Sequence, residues 1–120
     1  KMPFYQHILV ATNLSAESDF IADKAFELAN KNNAKLSIIH IIEFSPVYFS
    51  GYEFALPLNE EFEDELTGQA KNALQKQAAR LKILPENQYM ETGITPHKLV
   101  ELVKKIKADL LVIGSHPQHG

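Results

Sequence analysis

The sequence predicts an α/β fold, an open parallel sheet with helices packed on both of its faces. Three observations predict it. Short runs of branched aliphatics recur along the chain, such as "HILVAT" and "KLSIIHII", too uniformly apolar for strands with one wet face. Longer stretches between them return their apolar residues at helical spacing. The two kinds alternate in the order β-α-β-loop-α-β-α-β, which builds a parallel sheet through helical crossovers. The 120 residues suit one domain around one core.

Each element has its own justification. His7–Thr12 reads as a strand buried on both faces. In "NLSAES" both Ser15 and Ser18 can cap a following helix. From Asp19 to Lys31 the residues Ile21, Ala22, Ala25, Phe26, Leu28 and Ala29 form a helical stripe. The asparagines of "NKNNA" end it, because Asn tolerates the left-handed turn of a helix end. Lys35–Ile42 is the second buried strand. Glu43 to Leu58 reads as a long loop with Pro46, Gly51 and Pro57, carrying Phe44, Tyr48, Phe49, Tyr52 and Phe54. Sealing the domain edge is the plainer role for those aromatics, and a functional or mobile loop the sharper one.

Asn59 to Leu81 is a long helix, with Phe62, Leu66, Ala70, Leu74, Gln77 and Leu81 along one side. Its acidic start, "NEEFEDE", matches the positive end of the helix dipole better than it makes a metal site. Asn87–Thr92 is a more polar strand suited to a sheet edge, ended by Gly93. "TPHKLVELVKKI" predicts a helix capped by Thr95 with Pro96 in its first turn, and Lys104, Lys105 and Lys107 near its negative end. Asp109–Gly114 is the fourth strand of the parallel sheet. In such sheets ligands bind beyond the carboxyl ends of the strands, where strand order reverses. Three stretches lie there: Ala11–Ser15, His40–Ile42 and Gly114–Gly120.

Composition and motifs exclude several chemistries. The net charge of -3 argues against a nucleic-acid partner. The chain has no cysteine, hence no disulfide, thiolate metal site or cysteine nucleophile, and a reducing cytoplasm is the natural setting. No run approaches the roughly 20 apolar residues that span a bilayer. The P-loop pattern, GxGxxG and G-x-S-x-G are all missing. A phospho-receiver would need clustered Asp residues, and the first strand ends in Asn13 with no acidic pair beside it. His116 and His119 lack further ligands for a metal. His40 reads as a hydrogen-bonded core histidine and His97 as a surface one. No residue set is assigned as catalytic and no metal site is expected.

"HILVATNLSAES", "NAKLSIIHII" and "ETGITPHKLVELVKKIKADLLVIGSH", in this order and spacing, resemble the universal stress protein A family over nearly the whole chain. The resemblance implies a Rossmann-like sheet of the adenine nucleotide alpha hydrolase kind with five parallel strands. It also implies a homodimer, a cytoplasmic location and a role in surviving stress. One branch of the family binds ATP; the branch nearest the founding member generally does not, and can be phosphorylated on Ser or Thr. In the binding branch an acidic residue ends the first strand and the second strand's backbone meets adenine. A G-x2-G-x9-G-[ST] loop holds phosphates and ribose, its glycines letting backbone N–H groups approach anionic oxygens.

Carried onto this chain, the nucleotide site is Thr12, Asn13, Ile41, Gly114 and His116. Two positions depart from the pattern. Asn13 stands where binders have Asp, and would meet a ribose hydroxyl with a neutral carbonyl. Pro117 takes the second glycine position, with no N–H to donate and φ held near about -65°. The resemblance further implies that this chain, a single domain over 1–120, is C-terminally incomplete. It would lack a final helix and fifth strand of about 20–25 residues. The apolar fourth strand would then be an exposed edge, open to a partner chain in an altered or swapped dimer. Three functions follow in order of support: an adenine-nucleotide-binding stress protein without catalysis; a dimeric interaction module that binds no nucleotide and is switched by Ser/Thr phosphorylation; and a slow ATPase.

Overall fold

Four parallel strands carry the fold of the computed structural model, which describes residues 4–44, 47–48, 55–56 and 59–114. The elements run β1 (His7–Ala11), α1 (Ala16–Asn32), β2 (Lys35–Ile42), β3 (Val47–Tyr48), β4 (Ala55–Leu56), α2 (Glu60–Arg80), β5 (Gln88–Thr92), α3 (Thr95–Ile106) and β6 (Leu110–Val112). The main sheet has the order β5-β2-β1-β6. β1 pairs with β2 and with β6, and β2 with β5, all parallel. β5 lies at one edge, as its polar sequence predicts. β6 lies at the other, pairing among the described residues with β1 alone.

Alternation along β1 divides the core. Ile8 and Val10 point to one face, where Ile38 joins them and Ala22, Ala25 and Ala29 of α1 and Leu74 and Ala78 of α2 pack. Leu9 and Ile39 point to the other, covered by Leu99 and Leu102 of α3. Helices therefore cover both faces, which is why these strands are apolar throughout. The division follows from topology. The chain steps from β1 to β2 to β5 in one direction and then returns past β1 to β6. Right-handed crossovers in opposite directions place their helices on opposite faces. The reversal leaves a switch point between β1 and β6.

Three local readings differ in the structure. α3 begins at Thr95 with Ile94 as its cap residue, and no side chain of its own closes that end. Glu43 supplies the acceptor instead, its carboxylate taking the Thr95 N–H at 3.1 Å and the Thr95 hydroxyl. The stretch read as a loop contains a two-stranded antiparallel pair, Val47 opposite Leu56 and Tyr48 opposite Ala55. Phe62 is exposed, because the inner stripe of α2 becomes buried only from Leu74 onward. Phe49, Tyr52 and Phe54 lie outside the described residues.

Candidate functional site

The turn after β1 is held by its own polar side chains. The Thr12 N–H extends the ladder to the Ile39 carbonyl at 2.9 Å. Its hydroxyl accepts the Leu14 N–H at 3.0 Å, and Leu14 takes a left-handed φ of 66°. A left-handed non-glycine residue costs on the order of 1–2 kcal/mol and persists only where its surroundings over-determine it. Asn13 donates its N–H to Ser18 Oγ at 3.2 Å. Ser15 is the cap of α1 and Ser18 lies inside it, which settles the choice between the two serines.

Asn13 also shapes the turn through its side chain. Its carbonyl oxygen accepts the Ser15 N–H at 3.0 Å, the Ser15 hydroxyl at 2.6 Å and the Ser18 hydroxyl. A backbone N–H can only donate, so the atom facing it must be the oxygen. An amide oxygen has two lone pairs, and three donors already share them. The carbonyl expected to meet a ribose hydroxyl is engaged in the turn here.

Beyond this turn, at the carboxyl ends of the strands and over the β1–β6 switch point, lies a cleft of about 760 Å³. That is within the range of small-molecule sites, about 300–1,000 Å³. Thr12, Asn13, Ile41 and Gly114 all line it, so four of the five sequence-predicted residues are brought together. His116, with His119, Pro117 and Gly120, lies outside the described residues. Gly114 approaches α1 closely: a Cβ there would sit 2.9 Å from Ile21 Cγ1. A side chain there would have to displace Ile21.

His40 also lines the cleft and is half-buried, not a core residue. Its Nδ1 lies 2.8 Å from the Thr12 carbonyl. The carbonyl only accepts, so Nδ1 carries the proton and a neutral ring keeps Nε2 as an acceptor. The cleft adds residues that the motif reading did not name: Glu17, Ser18 and Phe20 from α1, Thr95 and Leu99 from α3, and Ile113 after β6. Phe20 and Ile113 are 63% and 57% exposed. A signal for Glu17 existed in its position four residues after Asn13, in the first turn of the next helix. The sequence marked Thr95 as a helix cap and not as a cleft residue; in the structure the Glu43 carboxylate holds it. The two hydrogen bonds from Thr95 hold the Glu43 carboxyl below its ordinary range.

Among the described residues no group of three or more His, Cys, Asp or Glu could hold a metal ion. No helix among them is long and apolar enough to cross a membrane.

A doubly wound parallel sheet with a roomy cleft at its switch point defines a Rossmann-like α/β protein. The universal stress protein family model matches residues 4–120, and the chain belongs to that family. It is 40% identical over 116 residues to universal stress protein A homolog 1 of Coxiella burnetii (strain RSA 493 / Nine Mile phase I), covering 97% of this chain and 80% of that one. The fold superposes on a universal stress protein from Lactobacillus plantarum with TM-score 0.72 at 19% identity, over 97% of this chain and 81% of that one. A universal stress protein in complex with cAMP matches with TM-score 0.61 at 27% identity, over 89% and 70% of the two chains. The family supports a role in the stress response.

Proposed function

We propose that this chain serves the stress response by binding an adenine nucleotide, ATP or cAMP, in the switch-point cleft, without chemistry of its own. The observation that carries the proposal is the convergence of Thr12, Asn13, Ile41 and Gly114 on one cleft of about 760 Å³. Ile39, Ile41 and Leu99 offer an apolar wall for a base. Glu17 lines the same cleft and is the acidic side chain among its described residues. The related protein's complex with cAMP supports the ligand class. A cytoplasmic homodimer is the assembly proposed with it.

Isothermal titration with ATP and with cAMP tests the reading. Saturable one-to-one binding is expected, weakened at least about fivefold by Gly114→Ala, whose new methyl presses on Ile21. No saturable binding by either nucleotide up to millimolar concentration overturns it. A second reading, the interaction module that binds no nucleotide, is favoured by one observation: the Asn13 carbonyl is already shared by three donors. Light scattering on the same samples reports whether the dimer forms.

A further inference from the structure

Charge and polarity are unevenly distributed around the cleft. Among its described lining residues there is no Lys or Arg, and the one acidic side chain is Glu17. Lys24, four residues after Phe20, sits with its ammonium over the Phe20 ring, 5.4 Å from its centre, and pairs with Glu27 at 3.7 Å; Lys98, beside Leu99, lies 3.9 Å from Glu101. Pro117, outside the described residues, brings no N–H to an anion. A triphosphate carries several negative charges and needs cations or convergent backbone donors to replace its water. The described walls offer instead apolar area from Ile39, Ile41, Leu99 and Ile113, and an aromatic ring at the rim.

The phenyl side chain of Phe20, left 63% exposed, forgoes most of the stabilisation that burial would give it. One face of its ring lies under the Lys24 ammonium. The residue also lines the cleft, so a planar ligand entering there would cover apolar area that the folded chain leaves in water. Aromatic rings stack on any nucleobase because every base has a π-face.

We infer that the cleft is a nucleoside site: its affinity comes from the base, stacked on Phe20 among aliphatic walls, and phosphates add nothing to it. The inference rests on the nucleotide reading above and narrows it to ligands of low charge, adenosine and singly charged nucleotides before ATP. Phe20 is then a specificity-determining residue for aromatic ligands, and Glu17 disfavours added anionic charge.

Titration calorimetry with three probes, adenosine, cAMP and ATP, tests this on the wild type, Phe20→Ala and Phe20→Tyr. ATP is expected to bind no tighter than adenosine. Phe20→Ala should weaken all three about tenfold, while Phe20→Tyr, which keeps the ring, stays within about twofold of wild type. Glu17→Gln should raise the affinity for ATP relative to adenosine. Phe20 is exposed, so its truncation leaves the core intact, and an unchanged melting temperature confirms that. ATP binding ten or more times tighter than adenosine overturns the inference and leaves the nucleotide reading standing. Equal affinities in wild type and Phe20→Ala also overturn it. Binding by none of the three probes removes the nucleotide reading and the inference together.

Discussion

His7 ties three elements together at the end of the sheet away from the cleft. Its Nδ1 donates to the Ile106 carbonyl at 3.1 Å, and its Nε2 lies 2.7 Å from the hydroxyl of the fully buried Ser37. Burial holds its pKa below the ordinary histidine value, helped by the Lys35 charge and opposed by the Ile106 hydrogen bond and Asp109. An unfolded histidine takes up a proton near about pH 6.5. Between that pH and the lower folded value the unfolded chain binds more protons, so stability falls as the solution is acidified. The urea midpoint is expected to drop between pH 7.5 and 5.5, with a shallower drop in His7→Gln; equal slopes in the two proteins would contradict this. Asp109 adds a separate acid limb. Its two oxygens accept the Gln6 and His7 N–H groups at 2.9 and 3.1 Å. Those bonds lower its pKa, so its contribution is present above the carboxylate range and lost as pH falls through the folded value.

At the scale of elements, the helix ends show how closure can be local or borrowed. α2 begins at Asn59, whose side chain accepts the Phe62 N–H at 2.8 Å. α1 ends with Asn33 at φ 50°, in the left-handed region. Both devices lie within a turn of the residues they serve, so both are visible in sequence. α3 is different, since its first N–H goes to Glu43, 52 positions away. No local pattern announces a cap from another element, and Thr95 followed by Pro96 carried the ordinary signal instead. Asn59→Ala should cost about 1 kcal/mol, lowering the melting temperature by roughly 4 °C for a domain of this size; an unchanged melting curve would show that the α2 cap contributes nothing. α1 carries Ala22, Ala25 and Ala29 against the sheet, small residues that let helix and strands come close.

The whole molecule is built outward from two central strands. β1 and β2 are each paired on both sides, and Ile8, Leu9, Val10 and Ile38 are fully buried. Opening their ladders requires breaking both halves of the core, so their amides exchange only through near-global unfolding. Hydrogen exchange should find the slowest amides in β1 and β2 and faster ones in β5 and β6 at the edges. Edge strands that exchange as slowly as the centre would reveal partners covering those edges in solution. The cleft belongs to this scale as well, because it exists only where the strand order turns back beside β1.

Sequence by itself determined the alternation of elements, the two-faced burial of the strands and the edge position of β5. These follow from periodicity, and periodicity is written locally in residues such as Ile8, Leu9 and Val10. It also marked Ala11–Ser15, His40–Ile42 and Gly114–Gly120 as the stretches to meet at a site, because a switch-point site lies at the carboxyl ends of strands; the family resemblance singled out Thr12, Asn13, Ile41 and Gly114 within them. Only the tertiary structure decided what those residues do there. The close approach of Ile21 to Gly114, the distant cap on α3 and the gathering of α1, α3 and strand-end residues around one cleft all depend on distances between elements. The chain brings such groups together only after the sheet has closed around its core, and no spacing along the sequence encodes them.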